Sequence, residues 1–221
     1  MVDKIIEKLK NKACVKQDAY DVTQKVFAEV RTIINEIADE INKKKNFSDS
    51  RVTIEVKEVD EFEFQLHIGS DLLSFILQSN VVAFPSDHSV YKQKYVKKDN
   101  NKAFFGQIMV YNYMADTVKY KRHGDVGYLI ERIFVNVDEK FYVEGMKNLN
   151  FSYLDLSHND ITKEVLTELL EEAILMAIDT DLVSTSYEEN FVMTLQQKYN
   201  SRSIKAGKKV GFQMSHQREF K

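Results

Sequence analysis

The stretch SRVTIEVKEVDEFEFQLHIGSD, residues 50–71, decides how this chain is read. Val52, Ile54 and Val56 alternate with Thr53, Glu55 and Lys57; Phe62, Phe64, Leu66 and Ile68 alternate with Glu61, Glu63, Gln65 and His67. A period of two is that of a strand with one buried face, and two such runs around a short polar break predict a hairpin. The apolar positions are even-numbered on both runs, so cross-strand partners must sum to an even number. A slip of one residue would turn a charge toward the core. A three-residue loop, Val59-Asp60-Glu61, then sets Val56 opposite Phe64, Ile54 opposite Leu66, and Lys57 opposite Glu63 on the outer face. Glu55-x-Lys57 also has the spacing found in metal-dependent nucleases. Such a site needs a further carboxylate as an oxygen ligand. Asp49 is the nearby upstream acid, only six residues before Glu55. A plain hairpin with a charged outer face is the simpler account.

Upstream the period is that of a helix. Asp3 is placed to cap a short piece carrying Ile5, Ile6 and Leu9, and Asp18 to cap a longer one. In the longer piece Val22, Val26, Val30, Ile33, Ile37 and Ile41 recur at spacings of three and four, which makes one apolar stripe. The NKKKN run, residues 42–46, ends it with positive charge, which suits the carboxyl end of a helix dipole. Cys14, between the two pieces, is expected as a small buried filler.

Downstream, LLSFILQSNVVAF (72–84) reads as one buried strand with a bulge or as two short strands. SDHSVYKQKYVKKDNNK (86–102) reads as a basic loop or edge hairpin, and AFFGQIMVYNYMA (103–115) as a long central strand. The run from Tyr128 to Gly145 predicts another hairpin, whose loop Asp138-Glu139-Lys140 sets Val137 opposite Phe141 and Val135 opposite Val143. A helix is expected near Asp160, a candidate N-cap, with Ile161, Val165, Leu169, Ala173 and Ala177 on its buried side and Leu166, Leu170 and Ile174 widening it. Ser186-x-x-Glu189 is a capping box for a last helix bearing Phe191, Leu195 and Tyr199. The expected fold is therefore α+β: N-terminal helices, a mostly antiparallel meandering sheet of five to seven strands, and two C-terminal helices packed on it. Residues 1–200 are expected as a single domain, and 201–221 as a basic tail able to form an edge strand.

The composition supports a folded interior and narrows the function classes. A chain of 221 residues buries roughly 70% of its unfolded surface and needs neither disulfide nor metal to fold. A single cysteine fits a reducing compartment. The N-terminus lacks the features of a signal peptide, and no apolar run approaches the ~18 residues of a membrane span, so the chain is expected to be cytoplasmic with no membrane partner. Nucleotide-binding glycine loops, the G-x-S-x-G nucleophile motif and zinc-ligand spacings are absent from the sequence, so no catalytic residue, metal ligand or cofactor is assigned.

Charge is segregated. Residues 92–122 hold eight Lys/Arg against two acids, net +6; residues 155–190 hold ten acids against Lys163, net −9; residues 198–221 are again net +6. Tyr91, Lys92, Lys94, Tyr95, Lys97 and Lys98, with Lys119, Lys121 and Arg122 further on, combine charges for phosphates with faces for base stacking. These nine are the candidate nucleic-acid contacts. The leading expectation is a non-enzymatic binding or accessory protein that contacts another protein or a copy of itself. A nucleic-acid-binding module is the alternative, and a metal-dependent nuclease built on Glu55 and Lys57 the second alternative.

Overall fold

A computed structural model describes residues 1–47, 49–145 and 155–182. Helix α1 (Val2–Lys8) passes through one π-helical turn (Leu9–Cys14) into α2 (Val15–Lys44). Six strands follow: β1 (Ile54–Glu58), β2 (Glu63–Ile68), β3 (Asp71–Val82), β4 (Phe105–Met114), β5 (Tyr128–Val135) and β6 (Phe141–Gly145). They pair in sequence order, all antiparallel, as one meander. Short helices α3 (Lys94–Lys98) and α4 (Ala115–Lys119) sit in the two connections flanking β4, and α5 (Lys163–Ile178) joins α2 on one face of the sheet. This is the expected α+β architecture. The second C-terminal helix and the strand-like tail fall outside the described residues.

The predicted stripe of α2 is the face that packs. Val26, Val30, Ile33 and Ile37 are buried against the sheet and Val22 and Ile41 partly so, with Phe27, Ile34, Ala19 and Thr23 widening the contact. The Phe27 ring lies 5.4 Å from Phe64 of β2, which stacks at 4.7 Å on Phe75 of β3. The strand β3 carries the expected bulge, between Gln78 and Val82, and β4 is central. Gly106 on β4 lets α2 sit close. A methyl group there would fall 2.1 Å from Thr23 Oγ1 and 2.7 Å from its Cβ. The Thr23 hydroxyl in turn donates to the Ala19 carbonyl at 2.7 Å. At the β2–β3 turn Gly69 takes a φ of 60°, which suits the first position of a two-residue hairpin loop.

Three expectations need correction. Both hairpin registers keep the expected parity but are displaced by two residues: Val56 faces Leu66, Lys57 faces Gln65 and Ile54 faces Ile68, while Val135 faces Phe141 and Ile133 faces Val143. The loops are longer because polar groups close them. The Glu63 carbonyl accepts from Val59 and Asp60 at 3.1 Å each, and Asp60 Oδ1 accepts from the Phe62 amide at 2.8 Å. Asn136 Oδ1 accepts the amides of Asp138 and Lys140, both at 3.0 Å. Second, Asp3 and Asp18 cap nothing, because the helix runs unbroken through residue 14 and Cys14 is exposed. Third, α5 is capped by Thr162, whose Oγ1 accepts from Val165 N at 3.3 Å, while Asp160 pairs instead with Lys140 Nζ at 2.5 Å.

One buried group stands out in the helix-side core. Glu131 of β5 is fully buried, and neither carboxylate oxygen has a hydrogen-bond partner among the described residues. It follows a bulge in the β4–β5 ladder and lies between Val110 and Gly145. Burial, with the charge of Glu172 on α5 adding to it, pushes its pKa up to about 8. The folded chain therefore holds a proton that the unfolded chain releases above about pH 4.5, so stability falls as pH rises from there toward about 8.

Two outcomes follow from these contacts. Gly106→Ala is expected to cost roughly 1–3 kcal/mol in chemical denaturation, since the overpacked atoms belong to a helix anchored along its length, and Thr23→Ala in the same chain should recover part of it. Glu131→Gln is expected to raise stability at pH 8 by roughly 2–4 kcal/mol and to change it little at pH 4.5; equal gains at both pH values would refute a neutral buried carboxyl.

Candidate binding surfaces

The nine candidate residues fall into two groups. Residues 83–104 fold over the sheet face opposite α2 and α5, where Val90, Val96, Phe105, Phe134, Tyr142 and Leu156 form a second, smaller core. This connection is a run of short helical turns, not an edge hairpin. Tyr91 and Tyr95 are its anchors. The Tyr91 hydroxyl donates to the Phe84 carbonyl at 3.0 Å. The Tyr95 hydroxyl donates to Asp138 at 2.6 Å and accepts from Asn136 Nδ2 at 3.1 Å. Lys102 Nζ lies 4.5 Å from the Tyr95 ring centre and 2.7 Å from Asp138. Burial, then the bond to Asp138, raises the Tyr95 pKa, whereas Lys102 and Tyr95 together lower that of Asp138. Around these anchors Lys92, Lys94, Lys97 and Lys98 are exposed.

The second group lies at the far end of β4. Lys119 and Lys121 are exposed there, Lys121 with a φ of 50°. The Arg122 guanidinium is mostly covered and lies 2.7 Å from Asp125, which also accepts from the Thr117 hydroxyl at 2.8 Å. The ten residues of β4 separate the two groups by roughly 30 Å. Each group is a local cluster, and the fold does not join them into one patch.

Glu55 and Lys57 lie on the edge strand β1, about half-exposed, and pair with each other at 3.1 Å. Glu55 faces His67, whose pKa is lowered by burial and by Lys57. His88 is a structural residue: its Nδ1 accepts from the Val90 amide at 3.3 Å and its ring stacks 4.2 Å from Phe84. Among the described residues no group of three or more His, Cys, Asp or Glu is arranged to hold a metal ion, and no helix is long and apolar enough to cross a membrane.

Two apolar surfaces stand out among the described residues. The first is an arm. Residues 1–14 are exposed throughout, and Val2, Ile5, Ile6 and Leu9 are each more than half exposed. Positions 2, 5, 6 and 9 share one helix face, so these four form a stripe that packs on nothing among the described residues. No glycine or proline lies before residue 69, so nothing breaks this helix where it leaves the sheet. The second surface is an open groove of about 550 Å³ where the end of α2 meets the end of α5 and the start of β1. Ile41, Phe47, Ile54, Leu175 and Ile178 wall it, with Asp71 and Glu171 at its margin. Phe47, Leu175 and Ile178 are 45%, 59% and 48% exposed. Sequence pattern had marked Ile5, Ile6 and Leu9 as helical but not as unburied. Leu175 and Ile178 lie off the buried stripe of α5, and that was the available signal for the groove.

No family model matches this chain, and neither do any curated protein or any solved structure.

The Tyr95 network has a measurable consequence. Asn136 is fully buried and uses both ends of its amide, accepting from two loop amides and donating to Tyr95 and to the Lys102 carbonyl at 3.1 Å. Asn136→Ala is expected to destabilise the chain by roughly 2–4 kcal/mol in urea unfolding, because it strands several polar groups at once. A loss below about 0.5 kcal/mol, the level of an ordinary surface substitution, would refute that role.

Proposed function

We propose that this chain is a cytoplasmic, non-enzymatic protein that works by protein–protein contact, with a copy of itself as the partner. The N-terminal arm carries this reading. An amphipathic helix whose apolar stripe faces water loses free energy until another surface covers it, and covering four aliphatic side chains stabilises a contact by several kcal/mol at about 25 cal/mol per Å². Helices of this kind dock into apolar grooves through anchors at spacings of three, four and seven, which Val2, Ile5, Ile6 and Leu9 provide. Among the described residues the arm makes no buried contact, which favours a role for its stripe in binding over one in the stability of the fold.

Sedimentation of the full chain across a range of concentrations tests this. The weight-average mass is expected to rise above 25.8 kDa as concentration increases. An Ile5→Asp/Ile6→Asp chain is expected to stay at monomer mass while its melting temperature is unchanged, because both positions are exposed. A full chain that remains monomeric at every concentration would refute self-association.

A further inference from the structure

We infer that the arm of one copy seats in the apolar groove at the opposite end of a second copy, so that the molecules join head to tail; this rests on the self-association proposed above. Three observations carry it. The arm and the groove are complementary in chemistry: one is a projecting aliphatic stripe, the other an open cleft walled by Ile41, Phe47, Leu175 and Ile178. They are complementary in charge. Residues 1–14 hold four lysines against Asp3 and Glu7, with Lys8 and Lys10 on either side of Leu9. On the α5 side the groove is acidic: Glu171 lines it and Asp179 and Asp181 follow at the end of the helix, all exposed, whereas on the α2 side Lys43, Lys44 and Lys45 stand beside Phe47, with Lys44 paired to Glu40. Opposite charges along the α5 side steer the encounter and fix its direction.

The third observation is placement. Thr23, near the start of α2, packs on Gly106 at one end of the sheet; Ile37 and Ile41, near its close, wall the groove beside Ile54 and Ile68 at the other end. Strands β3 and β4 run between those ends, since Asp71 pairs with Met114 on the groove side and Val82 with Phe105 on the arm side. The stretch of α2 from Val15 to Ile37 and Ile41, roughly 35–40 Å, therefore separates an arm from the groove of its own molecule. An arm of fourteen residues, roughly 20 Å long, does not fold back that far, so the groove it reaches belongs to a neighbour. A contact between two different surfaces is heterologous, and it builds an open series unless the rotation between copies closes a ring.

Complementation between two disabled full-length chains tests this directly. Leu9→Asp spoils the arm and leaves the groove; Leu175→Glu spoils the groove and leaves the arm. Both residues are more than half exposed, so both variants fold, and unchanged melting temperatures confirm it. Each variant alone is expected to sediment as a monomer, its association weakened at least tenfold. An equimolar mixture is expected to form a species of twice the chain mass and nothing larger, since one contact joins an intact arm to an intact groove and leaves only spoiled surfaces outside. A mixture that stays monomeric, or either variant associating as the unaltered chain does, overturns arm-in-groove docking. In the latter case self-association through another surface survives. An unaltered chain that is itself monomeric removes both proposals.

Discussion

The close seat of α2 on β4 is the contact on which the rest of this molecule depends. Gly106 has no side chain, Thr23 fills the space, and the helix axis is held near the sheet at the arm end. From that point one stripe of apolar residues, at spacings of three and four, runs to Ile37 and follows the sheet to its other end. The same helix therefore decides two surface features at once. Over residues 1–14 it packs on nothing among the described residues and stands out as an arm. Past the seat's far end it outruns the core it covers, and the uncovered space between it and α5 is the groove. A salt bridge between Glu36 and Lys163 at 2.8 Å links the two helices before the groove begins.

Much of this architecture was legible because it rests on periodicity. Even-numbered apolar positions on residues 52–68 specify which face is buried, and the structure keeps that parity in both hairpins. Loop length was not legible. It is chosen by side-chain-to-backbone hydrogen bonds at Asp60 and Asn136, which lengthen each loop beyond the shortest one the hydrophobic pattern permits. The two-residue displacement then changes the polar face: Lys57, denied Glu63, pairs with Glu55 on its own strand. Helix caps failed for a related reason. Asp3 and Asp18 have the chemistry of caps, but a helix with no breaker continues through them.

The tyrosine–lysine interleave at residues 91–98 shows where sequence reasoning stops. The same residues suit a stacking surface for bases or a lid for a small core. The partners that separate these readings, Phe84, Asn136 and Asp138, lie elsewhere in the chain. With their hydroxyls committed to those partners, Tyr91 and Tyr95 hold the lid in place, and the lysines around them face outward. Glu131 is the opposite case. In sequence it is one charge in a strand pattern; in the fold it is a carboxyl without a partner among the described residues, and it lowers stability as pH rises.

The proposed association through the ends requires that the edges stay apart. Among the described residues the meander has β1 and β6 as its edge strands, and an edge strand is where another sheet can pair. Here both are short, five residues each. The outer strand β1 carries Glu55, Lys57 and Glu58, and Arg31 of α2 lies 3.2 Å from Glu58. At the other edge β6 is tied by its preceding residue, Lys140, to Asp160, and Glu144 pairs with Arg132 of β5. Charge and shortness on both flanks make sheet-to-sheet pairing costly, while the arm and the groove leave aliphatic side chains uncovered among the described residues. Among the described residues the arm and the groove thus lie at opposite poles, and that placement is what would give the proposed head-to-tail contact its direction.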